Sequence, residues 1–183
     1  MPSSVLVLGI DPGTLTTGYG VIEQVGTALQ RVTSGCIHTS PKDKLPIRLQ
    51  IIYAGLIEII DRFHPDECSI ETAFFGKNIQ STLKLGQARG VSILAAVHRQ
   101  LAIMEYSPRE IKRSVTGTGA ASKKQVAYMV CTLLGLKQDV LQHDETDALA
   151  TAICHAQHMN SGRSAKDWAS FVAEHPERVR GSG

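Results

Sequence analysis

The sequence has few cysteines, and their spacing argues against the sites that cysteines usually build. It contains four, Cys36, Cys68, Cys131 and Cys154, and no two of them form a C-x-x-C pair. A thiolate metal cage needs closely spaced cysteines, and a disulfide framework is typical of small secreted chains. We therefore expect four separate thiols, most of them buried as small apolar groups.

Long apolar segments and a strong net charge are also missing. No apolar run reaches the roughly 20 residues that span a bilayer, and the N-terminus lacks the basic segment and apolar core of a secretory signal. These absences predict a cytoplasmic protein with no membrane partner. The net charge is only +2, so charge alone does not identify a protein that binds nucleic acid.

The length of 183 residues and the apolar content of 43% are typical of one globular domain. The segment after residue 160 is polar and contains several Gly and Ser residues, which do not favour a packed core. We predict a single domain over residues 1–160 and a polar, flexible C-terminal tail over 161–183.

Residue periodicity predicts an α/β chain. A run of β-branched and aliphatic residues predicts a first strand, and two further strand-like segments joined by a short turn near Gly26 complete three consecutive antiparallel strands. Apolar residues at helical spacing predict long helices later. Ser107 and Glu110 form a capping-box pattern, and Ser122 is placed to cap the following helix. The predicted segments are strands over 6–11, 18–25 and 29–37, a helix over 45–63, a strand over 67–71, a helix over about 79–99, a strand over 101–106, and helices from 108, from 123 to 135 and from 144.

The predicted helix over about 79–99 has small residues on or near its apolar face. Gly86, Ala88 and Gly90 leave room for another element to approach closely. The helix either packs only on its own sheet or also forms an interface between subunits.

Four acidic residues stand at positions where local structure would place them together. Asp11 and Glu71 each end a predicted strand, whereas Asp144 and Asp147 are three residues apart and share one face of a helix near its N-terminus. Each has a simple alternative role, as a turn residue or as an acid that compensates the helix dipole. Adjacent strands that end at one sheet edge can nevertheless bring all four carboxylates within a few ångströms.

Such a cluster is unfavourable unless protons or cations compensate it. At about 5 Å and an effective dielectric near 20, each like-charged pair costs roughly 3 kcal/mol. Oxygen ligands without a thiolate favour Mg²⁺ or Mn²⁺, and two such ions suit in-line attack on a phosphodiester. With these four acids neutralised by metal, the net charge of +2 becomes +6 over the remaining surface, which is compatible with a polyanionic partner. His143 is either an additional ligand or base, or a cap or surface residue.

Several motifs, read in order, identify a family that the sequence resembles. They run from about residue 4 to 159 and are Gly9-Ile10-Asp11-Pro12-Gly13-Thr14, Thr17-Gly18-Tyr19-Gly20, Ile70-Glu71 with Phe74 and Lys77-Asn78, Leu83-Lys84-Leu85-Gly86-Gln87-Ala88-Arg89-Gly90, and Asp144-Glu145-Thr146-Asp147-Ala148-Leu149-Ala150. Together they resemble the RuvC family of bacterial Holliday-junction resolvases. The resemblance implies a ribonuclease H-like fold, with a mixed five-stranded sheet whose first three strands are antiparallel and which is flanked by helices.

The same resemblance implies a function. Family members are homodimeric, Mg²⁺-dependent crossover junction endodeoxyribonucleases that nick two strands of like polarity at symmetric points of a four-way DNA junction, leaving 5′-phosphates. They act with the branch-migration proteins RuvA and RuvB in DNA recombination and repair. In this chain the four acids take the metal-binding positions, Lys112 and Lys123 match basic residues near the scissile strand, and either Phe74 or Phe75 matches an aromatic that stacks on bases.

The remaining cations agree with a DNA partner, because they come from segments that flank the acidic residues. The expected DNA-binding residues are Phe74, Phe75, Lys77, Asn78, Lys84, Arg89, Lys112, Lys123 and Lys124. Three other functions remain open. They are an ATP-dependent phosphotransferase with a similar phosphate loop, for which this chain is short, an RNA-processing nuclease of the same fold, and a junction-binding module without catalysis.

Overall fold

The computed structural model of the chain describes residues 4–72, 78–138 and 141–160. These residues form one mixed sheet with helices on both faces. In chain order the elements are β1 (Ser4–Asp11), β2 (Thr16–Val25), β3 (Ala28–His38), α1 (Leu45–Phe63), β4 (Glu67–Glu71), α2 (Ile79–His98), β5 (Ala102–Tyr106), α3 (Pro108–Thr116), α4 (Lys123–Leu133) and α5 (His143–Asn160).

The sheet has the order β3-β2-β1-β4-β5. Strands β1, β2 and β3 pair antiparallel, whereas β4 lies parallel to β1 and β5 parallel to β4. This confirms the predicted five-stranded mixed sheet. Because Ile10 pairs with Ile70 in the parallel register of β1 and β4, the next residues, Asp11 and Glu71, stand side by side at one edge of the sheet.

Strand alternation decides which face each side chain takes. Leu8 and Ile10 of β1 are buried in the core that the sheet forms with α1 and α2, whereas Val7 is buried in the core on the opposite face, with α3, α4 and α5. Asp11 follows Val7 by four residues and therefore lies on the α5 face. The same alternation in β4 places Ile70 toward α1 and α2 and Glu71 toward α5.

Three glycines let α5 lie directly on the sheet. Gly9 and Gly20 pair across β1 and β2, and Gly18 pairs with Asp11. A Cβ built on Gly9 would stand 2.1 Å from the carbonyl oxygen of Ala148, so a larger residue does not fit there. The absence of side chains brings the first turn of α5 close to the end of β1.

The helix ends follow the predicted signals closely. Both Ser107 and Ser122 head complete capping boxes, with Glu110 and Gln125 respectively. The prediction that α4 extends to Gly135 was wrong by two residues, because the helix ends at Leu133 and Gly135 has a φ of 65°. Helix α5 begins at His143, one residue before the predicted start.

The predictions about the cysteines and about membrane-spanning segments can also be compared with the structure. All four cysteines are among the described residues, none is in a disulfide, and Cys36 is less buried than the other three. Within the described ranges, no helix is both long enough and apolar enough to cross a membrane.

Candidate active site

The four predicted acids line one cleft at the edge of the sheet. The cleft has a volume of about 270 Å³ and lies between the ends of β1 and β4 and the first turns of α4 and α5. Its charged lining residues are Asp11, Glu71, Asp144, Asp147, Lys112 and Lys123. The structure therefore brings together carboxylates that are up to 136 positions apart in the sequence, since Asp11 and Asp147 both lie in it.

Glu145 lies between the two acids of α5 but does not line this cleft. It is 8% exposed, and its carboxylate accepts hydrogen bonds from the Ser34 hydroxyl at 2.6 Å and from the backbone N–H of Gln142 at 3.1 Å. Arg31 lies 3.9 Å from the same carboxylate. Glu145 thus joins the first turn of α5 to β3, and Asp144 and Asp147 on either side of it line the cleft.

Burial and mutual repulsion perturb the acids of β1 and β4. The pKa of Asp11 is raised to about 8, first by burial and then by the negative charges of Asp147, Glu71 and Asp144. The pKa of Glu71 is also raised, by burial and by Asp147. Asp11 therefore retains its proton to a higher pH than an exposed aspartate, and a bound cation would favour its charged form instead.

Two lysines partly compensate the acids. The Nζ of Lys123 lies 3.3 Å from Oδ2 of Asp147, and this negative charge raises the pKa of Lys123. The positive charge of Lys112 opposes part of the rise in the pKa of Glu71. Because the side chain of Lys123 is 75% exposed, the pair is accessible to a ligand from solution.

The donor set of the cleft fits a hard divalent cation. All four acidic side chains offer oxygen, and they outnumber the two lysines that line the cleft with them. Among residues 4–72, 78–138 and 141–160, no three His, Cys, Asp or Glu side chains form a preassembled ligand cluster. The carboxylates share a cleft, and side-chain rotation is needed for three or more of them to reach one ion.

Arg89 lies next to this cleft. With Asp11 and Glu71 it lines a second cavity of about 220 Å³, which opens toward α2. Its guanidinium forms an ion pair with Glu105 of β5. Arg89 is therefore near the acids, although on a different side of them from Lys112 and Lys123.

The other predicted DNA-binding residues are distributed more widely. Lys124 lines a cavity with Tyr128 and Met129, on a different side of α4 from Lys123. Lys84 is exposed on α2, and the side chain of Asn78 caps α2 by accepting a hydrogen bond from the backbone N–H of Ser81. His143 is exposed at the start of α5 and is not among the residues that line the cleft. Phe74, Phe75 and Lys77 lie outside the described residues.

The sequence reasoning missed the residues that hold the acids in place. Besides Glu145 these include Gly18, directly beneath α5, and His155, which joins α5 to β4 and β5. Gly18 and Gly20 are two residues apart and therefore face the same side of β2, where Gly20 pairs with Gly9 of β1. The two-residue spacing of Gly18 and Gly20 was a signal that the sequence already contained. Two neighbouring strands with glycine on one face provide a flat surface for a helix.

Comparisons with known proteins agree on one family. Residues 7–155 match the family model described as crossover junction endodeoxyribonuclease RuvC. A protein of that name from Photobacterium profundum is 56% identical over 151 residues, which are 82% of this chain and 86% of the relative. Another from Histophilus somni is 55% identical over 174 residues, which are 95% of this chain and 90% of the relative.

Solved structures give the same result. The structure of Thermus thermophilus RuvC in complex with Holliday junction substrate has a TM-score of 0.82 and 33% identity, with 86% of this chain and 96% of that chain covered. The yeast mitochondrial Holliday junction resolvase Ydc2 has a TM-score of 0.61 at 14% identity, which shows a shared fold.

Proposed function

The chain belongs to the RuvC family of crossover junction endodeoxyribonucleases, and we propose that the four carboxylates of its cleft are the groups with which it cuts DNA. The protein is a structure-selective endonuclease that resolves four-way (Holliday) DNA junctions in recombination and repair. The observation that carries the proposed site is the convergence of Asp11, Glu71, Asp144 and Asp147 in one cleft, with the pKa of Asp11 raised to about 8.

The catalytic set is metal-dependent, and Mg²⁺ is the proposed ion, with Mn²⁺ as a substitute and two ions in each site. Asp11 and Glu71 would hold metal from the sheet, and Asp144 and Asp147 from α5. Divalent cations bound there would supply an activated water and stabilise the charge on the leaving 3′ oxygen. His143 is not included in this set, because it does not line the cleft.

The chain's own residues orient the substrate. Lys112 and Lys123, which line the cleft beside the four carboxylates, contact phosphates of the strand that is cut. Lys84 and Asn78 extend the contacts along α2. Lys77 is a further proposed DNA contact, and either Phe74 or Phe75 stacks on bases at the crossover. Lys124 contacts DNA only outside the cleft, because it lies on a different side of α4.

The active protein is proposed to be a homodimer that nicks two strands of like polarity. Helix α2 supports this, because its apolar side chains Ile79, Leu83, Leu94 and Val97 are exposed in the single chain. Gly86 and Gly90 on the same helix have nothing within 4 Å of a built Cβ, so a partner helix could approach closely.

The remaining proposals concern partners, domains and location. RuvA and RuvB are proposed as partner proteins. Residues 1–160 form the proposed nuclease domain and residues 161–183 a polar tail, and the proposed location is the cytoplasm.

The deciding experiment is cleavage of a strand-labelled, mobile four-way DNA junction with and without Mg²⁺. Linear duplex of the same sequence and the Asp11→Asn protein are run beside it. We expect paired symmetric nicks in the junction alone, and an Asp11→Asn protein that binds the junction without cutting it, because the substitution removes a metal ligand while reducing local negative charge. Cleavage retained in Asp11→Asn would remove Asp11 from the mechanism.

The same experiment separates the other functions. Equal cleavage of linear duplex would contradict structure selectivity and favour a nuclease with another substrate, such as RNA. Junction binding with no metal-dependent cleavage would favour a binding module without catalysis.

A further inference from the structure

A second cavity adjoins the cleft and differs from it in chemistry. We call it the Arg89 cavity, and its described lining residues are Asp11, Pro12, Glu71, Thr72, Leu85, Arg89 and Pro108. It shares Asp11, Glu71 and Pro108 with the cleft, so a ligand could extend from one into the other without a break. The cleft contains six charged side chains, whereas the walls of the Arg89 cavity are largely apolar and contain three, the shared acids Asp11 and Glu71 and the cation Arg89.

Arg89 has hydrogen-bonding capacity left beyond its ion pair. Its guanidinium contacts Glu105, and its side chain is 22% exposed. Its Nε is buried and, among the described residues, has no hydrogen-bond partner. A guanidinium has five N–H donors and one carboxylate cannot accept from all of them. A second anionic acceptor at the cavity would reach the exposed part of the Arg89 side chain, and not the buried Nε.

The ligand that suits these walls is partly apolar and partly anionic. Leu85, Pro12 and Pro108 offer apolar contacts, and Arg89 offers a fork of donors suited to a phosphate. The volume of about 220 Å³ is below the roughly 300–1,000 Å³ of pockets that hold a whole drug-sized ligand. A single nucleotide of a longer strand fits this description better than an independent small molecule.

We propose that the Arg89 cavity is a subsite for the nucleotide that flanks the scissile phosphate, with Arg89 as the positioning residue that holds that nucleotide's own phosphate. The inference rests on the proposed function, because it requires a DNA strand in the cleft. Lys112 and Lys123 then contact the strand on one side of Asp11 and Glu71, and Arg89 contacts it on the other. Contacts on both sides fix the register of the strand, so the subsite influences which phosphodiester is cut.

The first test compares Arg89→Gln with Glu105→Gln in junction binding and single-turnover cleavage at several salt concentrations. Arg89→Gln is expected to raise the protein concentration for half-maximal cleavage about tenfold and to reduce the slope of log affinity against log salt by about 1, since one phosphate contact is lost. Glu105→Gln removes the partner of Arg89 without removing its charge. It is therefore expected to leave affinity and slope unchanged or increased.

This pair of variants distinguishes a ligand contact from a structural ion pair. Equal losses in Arg89→Gln and Glu105→Gln would mean that Arg89 acts through Glu105 alone, and would overturn the proposal. An Arg89→Gln protein with an unchanged salt slope would also overturn it.

A third variant tests the apolar wall and does not depend on whether Arg89→Gln folds. Leu85→Phe narrows the cavity while Arg89 and all four acids remain. We expect it to change the distribution of cut positions along a mobile junction, with junction binding largely retained, and an unchanged distribution would overturn the proposal. Failure of the proposed function would be seen differently, as absence of junction cleavage by the unsubstituted protein.

Discussion

Gly18 of β2 lies directly against the backbone carbonyl of Asp144 at the start of α5. A Cβ built on Gly18 would stand 1.9 Å from that oxygen and 2.4 Å from its carbon, both of them backbone atoms. Because Gly18 pairs with Asp11 across the β1–β2 ladder, this contact fixes the distance between the acid of β1 and the acids of α5.

Gly18→Ala should therefore damage the site without removing any acid. The methyl group cannot be accommodated unless α5 shifts, so we expect a large loss of cleavage, at least tenfold, and a lower Tm. Gly55→Ala is the matched control, because a Cβ there meets side-chain atoms of Ile37 at 2.9–3.2 Å and no backbone, where α1 packs on β3. Cleavage assays and thermal melts of both proteins check this, and equal behaviour of the two would contradict it.

Glu145→Gln should loosen the first turn of α5. The change removes the negative charge that lies near Arg31 and accepts a hydrogen bond from the Ser34 hydroxyl. We expect a loss of about 1–3 kcal/mol in the free energy of unfolding, together with reduced cleavage. Asp61→Asn breaks the exposed pair between Asp61 and Arg99 and should cause no measurable change. Urea unfolding of the two variants measures the difference, and a similar stability for both would show that Glu145 does not anchor the helix.

Asp11→Asn should stabilise the metal-free protein at alkaline pH. The pKa of Asp11 is about 8 in the folded protein and near its ordinary value of 3.8 in the unfolded chain, so between these values the folded state binds more protons and stability falls as the pH rises. The Asp11→Asn protein has no carboxyl at this position, so its stability does not fall with pH for this reason. We expect its Tm in chelator to exceed that of the unsubstituted protein by a few °C near pH 8, since about 1 kcal/mol corresponds to roughly 2–4 °C.

The advantage of Asp11→Asn should disappear toward pH 4, where the Asp11 carboxyl is protonated in the folded state. Added Mg²⁺ should raise the Tm of the unsubstituted protein more than that of the variant, because a ligand that binds only the folded state stabilises it. A Tm difference that is independent of pH would contradict the raised pKa.

His155→Phe should destabilise the junction of α5, β4 and β5. The buried imidazole lies 2.8 Å from the Tyr106 hydroxyl and 2.6 Å from the Glu67 carboxylate. Its loss removes a hydrogen-bond partner from both groups, and we expect the free energy of unfolding to fall by about 1–3 kcal/mol. His98→Phe is the control, because His98 makes a similar bond to Tyr53, 2.7 Å long, at an exposed site. Equal effects of the two substitutions on urea unfolding would contradict a special role for His155.

The cost of His155→Phe should also depend on pH. Burial lowers the pKa of His155 in the folded protein, and the Glu67 carboxylate opposes this only in part. The unfolded chain takes up the proton near the ordinary value of about 6.5, so the unsubstituted protein loses stability as the pH falls below that value. The difference between the two proteins should therefore be smaller at pH 5 than at pH 7.5.

Junction binding should weaken steeply with salt if Lys112 and Lys123 contact phosphates, because each contact releases counterions from the DNA. Replacing Lys112 by Gln is expected to reduce the slope of log affinity against log salt by about 1. Filter binding between low and moderate salt measures this, and a flat dependence in the unsubstituted protein would contradict phosphate contacts.

Local features of the sequence were sufficient to determine the elements and the positions of the acids along them. Short apolar runs that stop at an acid predicted the strands that end at Asp11 and Glu71. The capping box at Ser107 and the cap at Ser122 predicted where α3 and α4 begin. These signals depend on hydrogen bonds and periodicity within a few residues, so they can be read without knowledge of the rest of the chain.

Only the tertiary structure decided what surrounds each side chain. It turned Glu145 to Ser34, placed Lys123 in the cleft and its neighbour Lys124 outside it, and paired Arg89 with Glu105. These outcomes, and the raised pKa of Asp11, depend on burial and on charges from distant segments. Sequence spacing does not contain that information, because it arises only when distant segments pack together, as α5 does on the glycine surface of β1 and β2 and α2 does beside β5.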